Sequence, residues 1–124
     1  MKTNDLVIIG SGPNGIKAAL EFKVKFPHWD ILLLDKGTAL ENINKYPNVR
    51  WHSSMEAIFL DSTINSSIPK IHNPTSKEVK HYFEYIIKEN QLNIQEYTNV
   101  FLINKKSDYI EISYEKDNKK TTIQ

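Results

Sequence analysis

Four consecutive apolar residues, Leu6-Val7-Ile8-Ile9, run without a break into Gly10-Ser11-Gly12-Pro13-Asn14-Gly15. A short run that is apolar at every position predicts a strand covered on both faces, the condition of a strand inside a parallel sheet. The glycines permit an abrupt turn that few other residues tolerate. From Asn14 to about Phe26 the apolar residues Ile16, Ala19, Leu20 and Val24 recur at helical spacing, with Lys17, Glu21, Lys23 and Lys25 mostly opposite. Pro27 ends this helix, and a second apolar run, Ile31-Leu32-Leu33-Leu34, closes at Asp35, Lys36 and Gly37. Strand, turn, helix and strand occupy about thirty residues, the length of a right-handed parallel crossover.

The next stretch, Thr38 to about Asn73, holds Pro47, Pro69 and many Asn and Ser residues and reads as a long irregular excursion, a kind of loop that usually carries function. Pro74 followed by the Thr75-x-x-Glu78 form of a capping box predicts a second helix from Ser76 to Glu89, with Val79, Tyr82, Phe83, Ile86 and Ile87 on its apolar face. After Asn90 come short β-type runs at Leu92 to Tyr97, Val100 to Asn104, Tyr109 to Glu115 and Thr121 to Gln124. They predict an antiparallel meander, with a hairpin turn at Lys116-Asp117-Asn118-Lys119.

Composition narrows the function classes. A chain of 124 residues makes one domain, residues 1–124, with a modest core. Sixteen basic against fifteen acidic residues leave a net charge of +1, so no overall field draws the chain to nucleic acid or to an anionic membrane. The longest apolar runs, four residues each as at Leu6 to Ile9 and Ile31 to Leu34, fall far short of the roughly 20 residues a bilayer span needs. With no signal-peptide pattern either, a cytoplasmic protein is expected. Cysteine is absent, which removes disulfides, zinc-thiolate sites, iron–sulfur clusters and thiol nucleophiles from these residues.

The glycine turn matches Gly-x-Gly-x-x-Gly, and its context makes the match informative. It follows an apolar strand, opens a helix, and stands twenty residues before Asp35 at the end of the next strand. Gly10 permits the tight turn, Gly12 leaves no Cβ where a pyrophosphate approaches the backbone, and Gly15 lets the helix pack close to the sheet. Free amides and the positive dipole end of the helix attract a diphosphate, while Asp35 is placed to accept hydrogen bonds from a ribose diol. A carboxylate there repels a 2′-phosphate, so FAD or NAD is favoured over NADP. The bland alternative is a tight structural turn with an ordinary loop carboxylate.

The stretches DLVIIGSGPNGIKAALEF and ILLLDKG resemble the N-terminal fingerprint of the two-dinucleotide flavoprotein oxidoreductases, which include thioredoxin reductases, flavin monooxygenases and bacillithiol-disulfide-reductase-like proteins. The likeness continues through Asn44 to Ser54, the helix opening with NPTSKEVKHYFEYI, and the β-meander. It implies an α/β, Rossmann-like FAD/NAD(P)-binding domain with a parallel sheet and an antiparallel β-meander, as the incomplete N-terminal portion of a longer enzyme. It implies FAD contacts from Gly10, Ser11, Gly12, Pro13, Asn14 and Gly15 and from Asp35, with Lys36 beside the adenosine and the backbone of Val100 at the adenine. The complete enzyme is then expected to pass hydride from NAD(P)H to the flavin and on to oxygen or another acceptor, with the 124-residue chain inactive by itself. Its partners are the dinucleotide and the missing NAD(P)H domain. Bacillithiol-reductase-like members carry a cysteine where this chain has Asn14, so thiol exchange from this segment is excluded. The alternatives are a nucleotide-binding module without turnover and an NAD site in place of the FAD site.

Weaker signals have two readings each. Arg50, the only arginine, precedes Trp51, His52, Ser53 and Ser54. Arg50 and Ser53 can line the flavin or diphosphate, since a guanidinium forks onto phosphate oxygens, or the cluster is a solvated loop with Trp51 tucked into the core. Trp29 reads as a packing residue between helix and strand. Glu78 and His81 have Glu-x-x-His spacing, but a di-iron site needs a second copy and further carboxylates, so a surface pair is expected and no metal site. No residue stands out as general acid, base or nucleophile.

Overall fold

The computed structural model describes residues 3–45, 47–51, 73–116 and 119–123. The elements follow one another as β1 (Leu6–Ile9), α1 (Pro13–Lys25), β2 (Ile31–Leu34), α2 (Glu41–Lys45), α3 (Ser76–Glu89), β3 (Ile94–Gln95), β4 (Asn99–Lys105), β5 (Ile110–Lys116) and β6 (Lys119–Ile123). Both apolar runs are strands, and they pair in parallel from Leu6↔Ile31 to Ile9↔Leu34. α3 has the expected bounds and its capping box is formed: the Thr75 side chain accepts from the Glu78 amide, and Glu78 Oε1 accepts from the Thr75 amide at 3.1 Å.

Two expectations need correction. The run Leu92 to Tyr97 does not belong to the meander; Ile94 and Gln95 pair in parallel with Leu33 and Leu34, giving a sheet of order β1-β2-β3. α3 acts as a second crossover, so the strand after it joins the first sheet. The antiparallel sheet is β4-β5-β6, closed by pairing of Lys116 with Lys119 across Asp117 and Asn118, which lie outside the described residues. The excursion is also less irregular at its start than its composition implies, since α2 forms there and buries Ile43; residues 52–72 lie outside the described part.

The parallel sheet is the middle layer. One face carries Val7, Leu32 and Leu34 against Ile112 and Tyr114 of β5 and Val100 of β4. The helices build the other core from Ile16 and Leu20 of α1, Leu40, Ile43 of α2, and Val79, Tyr82, Phe83 and Ile86 of α3, with Trp51 packed on it. β2, flanked on both sides, is buried at Leu32 to Leu34; β1 pairs only with β2 among the described residues, and Ile9 stays 52% exposed. Trp29 stacks on Phe26 with centroids 4.0 Å apart, capping the far end of α1 where the chain turns into β2. Among the described residues no helix is long and apolar enough to cross a membrane.

Close approach of α1 to β1 sets the geometry of the turn between them. Gly10 sits at φ +108°, a conformation that side chains rarely adopt. A Cβ at Gly15 would collide with the Gly10 carbonyl and come within 3.5 Å of Ile8 Cγ2. Gly15→Ala is therefore expected to lower unfolding free energy by about 1–3 kcal/mol, the range for overpacking against atoms that cannot yield. Urea denaturation of the two proteins checks this through the shift in midpoint at constant slope.

Candidate functional site

Because β1 and β2 are parallel, their C-terminal ends lie on one side of the sheet, together with the N-terminus of α1. Several backbone bonds stitch the segments there. The Gly10 amide donates to the Leu34 carbonyl (2.7 Å), Leu40 to Ser11 (3.1 Å), Tyr97 to Gly37 (3.0 Å) and Thr98 to Asp35 (2.7 Å). They bound a cleft of about 440 Å³. Its lining includes Gly10, Gly12 and Pro13 from the turn, Asp35 and Lys36 from the end of β2, Glu41 and Asn42 from α2, and Thr98, Asn99 and Val100 at the start of β4.

Asp35 is held by three donors. Its Oδ2 accepts from the Ser11 amide (2.8 Å) and the Ser11 hydroxyl (2.6 Å), and its Oδ1 from the Gly37 amide (3.0 Å). Burial alone would raise the carboxyl; the Ser11 hydroxyl, the Gly37 and Ser11 amides and the charge of Lys36 outweigh it, so the pKa lies below its ordinary value.

The two main helix N-termini differ in what satisfies them. At α3, the Ser76 amide donates to the Val49 carbonyl (2.9 Å), that of Lys77 to Asn48 Oδ1 (3.2 Å) and that of Glu78 to Thr75 Oγ1 (3.2 Å). At α1 the N-cap is Gly12; among the described residues no side chain caps it, and no acidic residue occupies the first turn. Its positive end thus has no side-chain acceptor among the described residues. A Cβ at Gly12 would meet nothing within 4 Å, so the backbone there faces open space.

Of the residues singled out in the sequence, the structure brings Gly10, Gly12, Pro13, Asp35, Lys36 and Val100 to the cleft. Ser11 has no exposed surface; its side chain points inward to Asp35 and holds that carboxylate in place of contacting the cleft. Asn14 and Gly15 are not part of the lining, Gly15 because it faces the Gly10 carbonyl. Arg50 sits at the start of α3, bridged to Thr75 and donating to the Asn73 carbonyl at 3.2 Å, away from the cleft. Trp51 takes the packing alternative, with its indole nitrogen donating to Ser76 Oγ at 3.0 Å. Ser53 lies outside the described residues. Sequence reading missed Glu41, Asn42, Thr98 and Asn99. The only signal for the first two was their place just after the strand-end acid. Among the described residues no group of three His, Asp or Glu side chains is placed to hold a metal ion.

A family model described as pyridine nucleotide-disulphide oxidoreductase matches residues 7–123. Among solved structures, the bacillithiol disulfide reductase of Staphylococcus aureus is 25% identical with a TM-score of 0.75, over 99% of this chain and 36% of its own. That of Bacillus cereus is 20% identical with a TM-score of 0.84, over 98% of this chain and 37% of its own. A polycyclic ketone monooxygenase from Thermothelomyces thermophila is 17% identical with a TM-score of 0.75, over 98% of this chain and 22% of its own. The chain thus spans little more than a third of the length of the two reductases. No curated protein matches it in sequence.

The buried Ser11 hydroxyl yields a stability prediction with a defined pH dependence. Ser11→Ala removes a donor to a charged acceptor and is expected to cost about 1.5–3 kcal/mol at pH 7. The Asp35 carboxyl is depressed in the folded state, so its contribution is present above the unfolded pKa of about 3.9 and is lost as pH falls through the folded value. The gap between wild type and variant in urea unfolding should therefore narrow below about pH 4.

Proposed function

Since the chain belongs to the pyridine nucleotide-disulphide oxidoreductase family, we propose that its cleft holds the FAD of a flavin-dependent NAD(P)H oxidoreductase, these residues being the FAD-binding portion. The observation that carries this reading is one cleft lined by both an uncapped helix N-terminus and a strand-end carboxylate, the two chemistries needed for the two ends of an ADP moiety. The turn at Gly10 and Gly12 and the first turn of α1 would hold the diphosphate, where Gly12 leaves open space. Asp35 would hold the adenosine ribose, and Lys36 and the Val100 backbone would border the adenine half. FAD, when bound, supplies a two-electron carrier between a nicotinamide and oxygen or another acceptor. The chain's own part is binding and orientation: rigid backbone at the phosphates, a fixed carboxylate at the sugar. With no cysteine in the sequence, it supplies no thiol to a disulfide exchange. The NAD(P)H-binding part and the acceptor site would lie outside these residues. The exposed Ile9 of β1 and the half-exposed Phe101, Leu102 and Ile103 of β4 are apolar surface that such a remainder would cover.

Two substitutions test the assignment. Purified protein loaded with FAD should be yellow, and Gly12→Val should abolish FAD binding in calorimetry while leaving the fold intact, because its side chain enters open cleft space. Unchanged affinity in the folded variant would remove the phosphate cradle. Asp35→Asn, which keeps an acceptor oxygen for the Ser11 donors, should weaken FAD binding roughly ten- to a hundredfold and that of FMN, which lacks the adenosine, by much less. Equal losses for both ligands would show general destabilisation in place of a ribose contact.

A further inference from the structure

We propose that Glu41 is the second acceptor for the adenosine ribose, taking one hydroxyl of the diol while Asp35 takes the other. The inference rests on the reading of the cleft as a dinucleotide site.

A carboxylate offers about four acceptor positions. Both positions on Asp35 Oδ2 are filled, by the Ser11 amide at 2.8 Å and the Ser11 hydroxyl at 2.6 Å. One of the two on Oδ1 is filled by the Gly37 amide at 3.0 Å. Neither donor residue is free to swing away. Ser11 is fully buried and its carbonyl is held by the Leu40 amide, while the Gly37 carbonyl is held by the Tyr97 amide. Asp35 is left with one acceptor position, and a ribose diol presents two hydroxyls. Taking the second out of water without a partner would cost affinity.

Among the described residues, Glu41 is the other carboxylate in the cleft lining. It opens α2 and folds back over Gly37, where a Cβ would collide with its carboxylate, Oε1 lying at 2.9 Å. The two carboxylates therefore bracket one residue, Asp35 on its amide and Glu41 over its α-carbon. Glu41 has its acceptor positions open: its ion-pair partner is Lys45 at 3.8 Å, a long contact between side chains that are 40% and 69% exposed. Asn42 and Asn99 also line the cleft, but a neutral amide accepts a hydroxyl proton more weakly than a carboxylate does.

The experiment is calorimetric titration of wild type, Glu41→Ala and Glu41→Gln with FAD, ADP, 2′-deoxy-ADP and 3′-deoxy-ADP, with circular dichroism to verify folding. Wild type should lose about tenfold in affinity when either hydroxyl is removed from ADP. Glu41→Ala should bind FAD and ADP about tenfold more weakly, and one of the two deoxy penalties should vanish while the other remains. Glu41→Gln, which keeps an acceptor oxygen, should fall between. On charge alone, loss of a carboxylate should tighten binding of an anionic diphosphate, so weaker binding reports the lost hydrogen bond. If Glu41→Ala binds ADP as wild type does, or keeps both deoxy penalties, the role of Glu41 is overturned and the dinucleotide reading stands. If wild type binds neither FAD nor ADP, the reading of the cleft fails and this inference fails with it.

Discussion

Ser11 and Asp35 are separated by 24 residues and joined by two hydrogen bonds to one carboxylate oxygen. That junction fastens the glycine turn after β1 to the end of β2 and so defines the wall of the cleft. The Gly37 amide on the other oxygen extends it to the turn that leads into α2, and the Asp35 backbone carries it on to Gln95 and Thr98. One acid thus gathers the ends of three parallel strands. Such a group is expensive to leave partly satisfied, which explains why its donors are backbone amides and a buried serine.

The same residue faces two demands. As a structural acceptor it needs donors from the chain, and each one it takes is a position that a ligand can no longer use. A carboxylate that serves the fold this thoroughly has little left for a sugar. The neighbouring acid on α2 is under no such competition, since among the described residues its side chain pairs only with an exposed lysine.

The helical face is closed by a core reaching from Ile16 to Ile86, with Trp51 sealing its edge. The opposite face is covered by β4 and β5, where Ile112 and Tyr114 are buried but Phe101, Leu102, Ile103 and Ile110 are left outside. Among the described residues β1 pairs only with β2, and the exposed Ile9 lies on that edge strand.

Local order was legible in the sequence because it is encoded locally. The LVII and ILLL runs, the glycine turn, the Thr75 to Glu78 capping box and the helix from Ser76 to Glu89 each depend on neighbours within a few residues. Pairing and convergence are another matter, because they depend on residues far apart in the chain. Nothing near Ile94 announces that it will join β2 in parallel, and nothing near Arg50 tells that it will sit at the head of α3. Ser11 reads as part of a ligand loop until the fold turns its side chain inward, and Glu41 reads as one more acid in a polar excursion until the fold lays it over Gly37. By itself the sequence determined the crossover unit and the acid at its end, through apolar periodicity and the steric freedom of glycine. Only the tertiary structure decided which acceptors that acid has left, since lone pairs are spent by whichever donors folding brings within reach.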